Sequence, residues 1–538
     1  MQASARSKTV RARAIMVLGT GSHVGKSLMV TALCRIFAQH GVRVAPFKSQ
    51  NMSLNSAATI EGAEIGRAQA LQAEAAGIQA SIHMNPILLK PSGGMRSQIV
   101  VRGKIWGTLS ASDYHLRRVE ELLPIVRESY ESLAAEYDVI LLEGAGSPAE
   151  INLKQHDIVN MRMAELSDAH CILVGDIDRG GVFASLLGTV ELLDTKDQHR
   201  ISGFIINKFR GDLKLLEPGL RMMENRLRKP CIGVVPYLQD LTLDEEDSLG
   251  LSTAGNVGWE SSDSPDRALR IAVIALPSFS NFTDFDALHA EPSVSLSFAR
   301  TPDQLHRADL VILPGSKQTI DDLLWLRDSG IDRVLLEQAR TGLITGICGG
   351  MQMLGESVSD PSGIEHGGTF AGLGLLPIRT LMRPLKVTSL THGTVATASL
   401  FGQDIPPIHL SGYEIHVGET TYLGHAKPFA QINRGSAPPT QHDGCISADG
   451  RIFGTYLHGL FDQDTFRYAF INAARAFYQL TPAVRFNAWN AMREASINRL
   501  AKEVEQSLDM EKIFAWAGCA YREPIYETVL RSGSGVPQ

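Results

Sequence analysis

A glycine-rich loop near the amino terminus constrains the fold of this chain more than any other feature. Residues 19–27 read GTGSHVGKS, between the apolar run AIMVLG and the helix-like segment LMVTALCRIFAQHG. Backbone N–H groups of such a strand–loop–helix turn bind polyphosphate together with the positive end of the helix. This predicts that Lys26 contacts the β and γ oxygens and that Ser27 holds Mg²⁺. A glycine turn that only packs a helix on a sheet is the alternative.

The loop departs from the common spacing G-x-x-x-x-G-K-[ST], because a threonine stands where the first glycine is expected. The form G-T-x-x-x-V-G-K-[ST] resembles the loop of dethiobiotin synthetase and its relatives. The matching positions are Gly19, Thr20, Val24, Gly25, Lys26 and Ser27. The resemblance implies ATP-dependent activation of a substrate carboxylate or carbamate.

Polar residues at three other predicted strand ends suit the same site. In VILLEGAG, Glu143 can hold Mg²⁺ against the γ-phosphate, or it caps a helix. In VAPFKSQNMSLNS, Lys48, Gln50 and Asn51 suit an anionic substrate, since ligands lie at the carboxyl ends of parallel strands. In IINKF, Asn207 stands where relatives read the nucleotide base, or it ends a strand in an ordinary turn.

Short β-rich runs alternate with helix-like segments throughout the first half, and a second such series begins near residue 270. This pattern predicts an α/β fold with two domains, each built on a parallel sheet covered by helices. A stretch rich in Ser, Gly and Asp separates them, which is typical of a linker. The predicted parts are a disordered tail at 1–13, an ATP-binding domain at 14–250, a linker at 251–269, a second α/β domain at 270–475 and a helical C-terminal extension at 476–538.

The segment TGLITGICGGMQMLG in the second half has the form of a strand, a sharp G-x-C-x-G turn and a helix. It presents Cys348 as a nucleophile whose thiolate the helix N-terminus favours. A buried structural cysteine is the alternative. His458 in GTYLHGLF is the candidate acid and base, and backbone N–H groups of Gly315, Ser316 and Gly349 are the candidate oxyanion donors.

A cysteine elbow followed by a distant histidine in G-x-x-x-H-G resembles class I glutamine amidotransferases, which release ammonia from glutamine through a thioester. The resemblance has one departure, since Leu460 stands where the acid of the usual His-x-Glu pair is expected. Either another carboxylate orients His458 or the site works as a dyad. Glu414 and His416 in GYEIH either complete the site or buttress it.

Segments in order along nearly the whole chain resemble the cobyric acid synthase family of cobalamin biosynthesis. They are PFKSQNMSLNS, EGAGSPAEINL, GDIDRGGVFAS, INKFRGD, LPSFSNFTDFDAL, LPGSKQT, GICGGMQMLG, GYEIHVG and GTYLHGLF. The resemblance implies a synthetase domain at 14–250 and a glutamine amidotransferase domain at 270–475. It implies amidation of the b, d, e and g carboxylates of adenosylcobyrinic acid a,c-diamide through an acyl phosphate and channelled ammonia.

Two alternatives and two residue groups stay open. The alternatives are the enzyme of the same pathway that amidates the a and c groups, and a noncatalytic P-loop ATPase switch with a scaffold domain. Asp176 and Asp178 add a second metal or substrate contact or cap a strand end. Basic residues around NPILLKPSGGMRSQIVVRGK bind the polycarboxylate or form a solvated face. They are Lys90, Arg96, Arg102 and Lys104.

Charge and cysteine usage exclude several classes of function. A net charge of -7 argues against a general nucleic-acid binder. Six scattered cysteines without a CxxC pair predict a reduced, cytoplasmic protein without structural zinc. Without an apolar stretch approaching ~18 residues, we expect no membrane partner. We therefore expect ATP and Mg²⁺ with no tightly bound organic cofactor, and a corrinoid and glutamine as substrates; a homo-oligomer stays open.

Overall fold

The computed structural model describes residues 12–92, 96–110, 112–114, 118–243, 259, 264–435 and 441–522. The predicted tail at 1–13 and linker at 251–269 lie largely outside the described residues.

The first half contains a large sheet, a small sheet and a short hairpin. Its strands are β1 (Arg13–Gly19), β2 (Val44–Phe47), β3 (Gln50–Met52), β4 (Ser56–Ala58), β5 (Glu64–Gly66), β6 (Ile87–Pro91), β7 (Arg96–Val101), β8 (Lys104–Ser110), β9 (Val139–Glu143), β10 (His170–Asp176), β11 (Ile201–Phe209) and β12 (Cys231–Pro236). Its helices are α1 (Lys26–Gln39), α2 (Arg67–Ala75), α3 (Leu123–Glu136), α4 (Met161–Ser167), α5 (Val182–Glu191), α6 (Thr195–Arg200) and α7 (Leu213–Leu227).

The large sheet has six parallel strands in the order β12-β11-β10-β1-β9-β2. Its central strands are almost continuously apolar and buried, because helices cover both faces. The chain leaves β1 between β9 and β10, so the glycine-rich loop lies at the carboxyl edge of the sheet, where α/β proteins bind ligands. The small sheet has the order β3-β6-β7-β8, and β4 pairs with β5.

The second half begins with another parallel sheet. Its strands are β13 (Leu269–Ile274), β14 (Val294–Ala299), β15 (Leu310–Leu313), β16 (Leu343–Ile347), β17 (Ser357–Asp360), β18 (Gly368–Ala371), β19 (Ile378–Val395), β20 (Ser399–Leu400), β21 (Gln403–Asp404), β22 (His409–Tyr422), β23 (Ala430–Arg434), β24 (Gln441–Asp443), β25 (Cys445–Ile446) and β26 (Ile452–Thr455). Its helices are α8 (Asp286–His289), α9 (Thr319–Asp328), α10 (Ile331–Thr341), α11 (Gly349–Leu354) and α12 (Asp464–Phe477), followed by the C-terminal helices α13 (Trp489–Ser507) and α14 (Met510–Trp516).

The core sheet of this half has the order β14-β13-β15-β16-β26-β25, parallel except for β25. A second sheet is built around the long antiparallel pair β19 and β22. The two parallel core sheets confirm the predicted α/β fold class. Both β16 and β26 end at the same edge, which brings the residues that follow them together.

The C-terminal helices return to the first half. Helix α13 buries Leu500 and Val504 in the same apolar core as residues of α1 and β1. The ring of Phe514 stacks on Phe37 at 4.4 Å between centroids, and Glu505 accepts a 2.8 Å hydrogen bond from His40. The predicted C-terminal extension therefore packs on the first half rather than on the second domain.

We expect Leu500→Ala to destabilise the first half by about 2–5 kcal/mol, because it leaves a cavity in a fully buried contact. The exposed Leu215→Ala should change stability by less than about 0.5 kcal/mol. Urea unfolding with and without MgATP measures this, since ATP shifts the transition of the half that binds it. Equal effects of the two substitutions would contradict this packing.

Candidate active sites

Cys348 occupies a strained turn between β16 and α11, with φ 51° and ψ −110°. A non-glycine residue with this backbone geometry is uncommon and marks a site that the surrounding fold holds in place. A Cβ on Gly350 would lie 2.0 Å from the carbonyl oxygen of Leu313, so the turn requires glycine there. The Cys348 N–H donates to Thr455 O at 2.7 Å, which ties the turn to β26.

His458 and Asp284 form a buried hydrogen-bonded pair beside this cysteine. The His458 Nδ1 lies 2.7 Å from Asp284 Oδ2, and the Gly459 N–H donates to Asp284 Oδ1 at 2.9 Å. Both side chains are almost wholly buried. Asp284 therefore fixes the imidazole so that Nε2 is the ring nitrogen left for proton transfer.

The charges around His458 favour its protonated form. Burial by itself lowers the pKa of His458, but the Asp284 carboxylate and the Cys348 side chain raise it, and the resulting pKa is about 10. An imidazolium beside a thiol favours the thiolate, which is the reactive nucleophile. His458 is therefore protonated at neutral pH and can serve as the acid beside the candidate nucleophile.

We expect kcat/KM for glutamine hydrolysis to stay high up to about pH 10 and to fall above it. His458 keeps its proton up to its raised pKa and loses it above that pH, and with it the acid that protonates the leaving ammonia. Glutamate release across this range measures the profile. Activity regained on return to neutral pH separates titration from unfolding. A decline centred near the ordinary histidine pKa of about 6.5 would contradict the pairing.

Asp284 is the third member that the sequence left unassigned. It lies in LPSFSNFTDFDAL, far upstream of the histidine, whereas the family pattern directs attention two residues downstream. At that position Leu460 is buried in the apolar core. The only sequence signal for Asp284 was its place in LPSFSNFTDFDAL, one of the segments that resemble the cobyric acid synthase family.

The candidate oxyanion donors lie together. A Cβ on Gly349 would lie 3.0 Å from the Ser316 amide nitrogen, and one on Gly315 would lie 3.0 Å from the His458 ring. Ser316 Oγ donates to Asp322 Oδ2 at 2.5 Å, which anchors the loop. Burial raises the pKa of Asp322 to about 7. The predicted role of these donors stays a prediction.

Glu414 and His416, which the sequence left open as completing or buttressing the site, have hydrogen-bond partners other than His458. Arg434 donates to both oxygens of Glu414, at 2.6 and 2.8 Å, while Asp284 holds His458. His416 stacks on Tyr456 with ring centroids 3.7 Å apart. In this GYEIH segment, Tyr413 stacks on His458 with ring centroids 5.3 Å apart, and Ile415 O accepts from Cys348 Sγ at 3.7 Å.

The glycine-rich loop turns tightly at the carboxyl end of β1. Gly25 has φ 99°, and a Cβ there would lie 2.2 Å from Asn207 Nδ2. Asn207 donates to Val24 O at 2.8 Å, so here it supports the loop. Lys26 Nζ donates to Gly21 O at 2.8 Å and Gly146 O at 3.1 Å. The amide of Thr20 donates to Val174 O, which joins the loop to β10.

Glu143 is the centre of a buried polar cluster under this loop. Its Oε1 accepts from Ser27 Oγ at 2.9 Å and from Lys48 Nζ at 2.8 Å. Its Oε2 accepts from Gln72 Nε2 at 2.6 Å. The converging hydroxyl and carboxylate are oxygen ligands of the type that Mg²⁺ prefers, so Ser27 and Glu143 fit the predicted ion.

A cavity of about 1080 Å³ opens above the loop and joins several predicted residues. Its walls include Lys48, Gln50 and Asn51, and also Leu500 and Val504 of α13, which the sequence did not suggest. A second set of lining residues comes from the later strand ends; these are Asp176, Asp178, Asn207, Lys208 and Arg210. The cavity suits a nucleotide with a substrate beside it.

The structure bears on two groups of charged residues whose roles the sequence left open. Asp176 accepts from Lys208 Nζ at 2.8 Å and from the Asp178 N–H at 2.9 Å, so its carboxylate is held by protein groups. Lys90 is buried in an ion pair with Glu64, which contradicts the solvated basic face. Arg102 donates to Glu128 at 2.8 Å. Arg96 and Lys104 lie at exposed strand ends of the small sheet.

The described part of the chain bears on three other expectations. Within it, no group of three or more His, Cys, Asp or Glu side chains could hold a metal ion. No helix among the described residues has the length and apolar character needed to cross a membrane. The six cysteines are free thiols.

Two protein-family models match this chain, one in each half. Residues 15–250 match the CobQ/CobB/MinD/ParA nucleotide-binding domain. Residues 270–466 match the CobB/CobQ-like glutamine amidotransferase domain. The matches agree with the two kinds of site described above.

Curated relatives cover almost the whole chain. Cobyric acid synthase from Caldanaerobacter subterraneus is 48% identical over 510 residues, which span 93% of this chain and 97% of that protein. Cobyric acid synthase from Clostridium acetobutylicum is 46% identical over 506 residues, which span 94% of this chain and 98% of that protein. Among solved structures, PurLQS from Thermotoga maritima is 18% identical, with a TM-score of 0.30 over 39% of this chain and 97% of that one.

Proposed function

The chain belongs to the cobyric acid synthase family, and we propose that it amidates the b, d, e and g carboxylates of adenosylcobyrinic acid a,c-diamide. It is an ATP-dependent, glutamine-hydrolysing amide ligase. The observation that carries the proposal is the presence, in one chain, of a Cys348–His458–Asp284 site and a phosphate loop backed by Glu143.

In the first half-reaction, Cys348 attacks the carboxamide carbon of glutamine. The oxyanion is stabilised by N–H groups of Ser316 and Gly349, and the His458 imidazolium protonates the departing ammonia. Water then attacks the thioester with His458 as base, and glutamate leaves. Asp284 holds the imidazole throughout. Glutamine and water are thus converted to glutamate and ammonia.

In the second half-reaction, a corrinoid carboxylate attacks the γ-phosphorus of ATP and forms an acyl phosphate and ADP. Mg²⁺ held by Ser27 and Glu143 would neutralise the phosphate charge. Lys48 and Asn51 line the same cavity and would position the carboxylate. Ammonia then attacks the acyl carbon and phosphate leaves, which gives the amide.

Mass spectrometry of adenosylcobyrinic acid a,c-diamide incubated with the protein, MgATP and glutamine tests this function. Each acid-to-amide exchange lowers the mass by about one unit, and we expect four successive steps. Amidation of cobyrinic acid at the a and c groups instead would identify the related enzyme of the same pathway. Glutamine hydrolysis with no mass change in either corrinoid would support the glutamine amidotransferase activity but would exclude both corrinoids as acceptor substrates.

A further inference from the structure

The cleft at Cys348 has walls from both halves of the chain. Ser316 and His416 of the second half line it together with Lys90 and Gln98 of the small sheet in the first half. The halves are joined at its edge, where the Ser56 N–H donates to Asn281 Oδ1 at 3.1 Å. Ammonia released by the cysteine therefore forms directly beside the first half.

A buried ion cluster borders the cleft on that side. Glu64 Oε1 pairs with Lys90 at 2.6 Å, and Glu64 Oε2 pairs with Lys386 of the second half at 2.5 Å. Burial lowers the pKa of Lys90 to about 8, although Glu64 raises it. An ammonium ion here would meet the same burial and the same neighbouring cations. Burial and the neighbouring lysines therefore disfavour ammonium relative to neutral ammonia, the nucleophilic form, while the Glu64 carboxylate acts in the opposite direction.

One face of the small sheet connects this cleft with the nucleotide cavity. Lys90 of β6 pairs with Gln98 of β7, and Leu88 of β6 pairs with Asn51 of β3. Residues 88 and 90 point to the same face and lie about 7 Å apart along the strand. Since Asn51 lines the nucleotide cavity, the two sites lie on neighbouring rows of one sheet face.

Strand β5 also links the ion cluster to the side chains beside the nucleotide cavity. Glu64 at its start belongs to the ion cluster, and Gly66 two residues later lies against a group of side-chain amides. A Cβ on Gly66 would lie 2.7 Å from Gln69 Oε1 and 2.8 Å from Asn51 Nδ2. Gly66 therefore brings the backbone of β5 into close contact with these amides, two residues from Glu64.

A buried amide atom at each end has no hydrogen-bond partner among the described residues. Gln98 Oε1, an acceptor, faces the cysteine cleft, and Gln69 Nε2, a donor, lies beside Asn51. The two residues are 5% and 0% exposed. Buried polar atoms are almost always paired, so each needs a ligand. Ammonia both donates and accepts hydrogen bonds and is small enough to meet both.

We propose that ammonia passes from Cys348 to the acceptor site along this sheet face, entering between Lys90 and Gln98 and leaving between Asn51 and Gln69. The Glu64 ion cluster forms one wall of the passage at its entrance. This inference rests on the proposed function, because it requires an acceptor carboxylate in the nucleotide cavity.

An isotope competition tests the passage. The protein receives adenosylcobyrinic acid a,c-diamide, MgATP, glutamine labelled with ¹⁵N in its amide, and unlabelled ammonium in the buffer. We expect wild-type product to carry mainly ¹⁵N. In Gln98→Leu and Lys90→Met, we expect about three or more glutamates per amide formed instead of about one, and mostly unlabelled product. Amidation with ammonium alone should stay within about twofold of wild type.

Matched controls are Gln431→Leu, at an exposed position of β23, and Arg493→Met, which removes the buried arginine of a half-exposed ion pair with Glu74 away from the passage. Both variants should give product that carries mainly ¹⁵N, and both should form about one glutamate per amide, as wild type does. If Lys90→Met fails to fold, the result for Gln98→Leu alone tests the passage. A wild-type ratio in Gln98→Leu, or an equal loss of ammonium-dependent activity, would overturn the passage. Wild-type protein inactive even with ammonium would contradict the proposed function instead.

Discussion

We expect Cys348→Ala to abolish glutamine-dependent amidation and to leave ammonium-dependent amidation intact. Removal of the only nucleophile of the thioester route should lower glutamine hydrolysis by at least about 10³-fold. The ATP site is unaffected, because Cys348 lies in the second half, in the turn before α11. Glutamate release and corrinoid mass, each measured with glutamine and with ammonium, separate the two reactions.

The matched control is Cys445→Ala, a second buried free thiol of the same half. It should retain both activities, which separates loss of the nucleophile from loss of packing. Glutamine hydrolysis that survives in Cys348→Ala would contradict the thioester route. Loss of the ammonium reaction as well would mean that the cysteine turn supports the acceptor site.

We expect Asp284→Asn to lower kcat for glutamine hydrolysis by about 10²- to 10⁴-fold, since an amide can hold the imidazole in the wrong tautomer. The substitution also removes the carboxylate that raises the pKa of His458. The alkaline limb of the kcat/KM profile should therefore move to lower pH. A purely structural role of Asp284 would lower activity without moving that limb.

The control for this substitution is Asp303→Asn, whose side chain is almost fully exposed. It should leave the rate and the pH profile unchanged. Ammonium-dependent amidation should persist in Asp284→Asn, because the carboxylate touches only the thiol site. An unaltered pH profile in Asp284→Asn would show that another group sets the charge of His458.

The residues that the sequence could predict are those whose roles are local. The turn at Cys348 and the loop around Lys26 depend on glycines and strands within a few positions, so a motif contains most of their geometry. The α/β class followed from alternating apolar runs for the same reason. Strand order alone then brings Ser27 to Glu143 across 116 residues.

The residues that the sequence missed act across the fold. Asp284 reaches His458 over 174 residues, and no spacing rule links the two. Leu500 forms a wall of the nucleotide cavity only because α13 returns to the first half. The sequence around Lys90 is compatible with a surface lysine, and only the tertiary structure shows that Glu64 pairs with it in the interior. Tertiary contacts decide such cases, and local pattern carries no information about them.

The return of α13 to the nucleotide cavity has a consequence for biosynthesis on the ribosome. A nascent chain emerges from its amino terminus at about 5–20 residues per second, and domains usually fold in that order. Here the wall formed by Leu500 and Val504 is translated after the whole amidotransferase region. The phosphate loop therefore stays open on one side until the glutaminase is already made. We therefore expect the ATP site to be complete only in a chain that already carries its amidotransferase region.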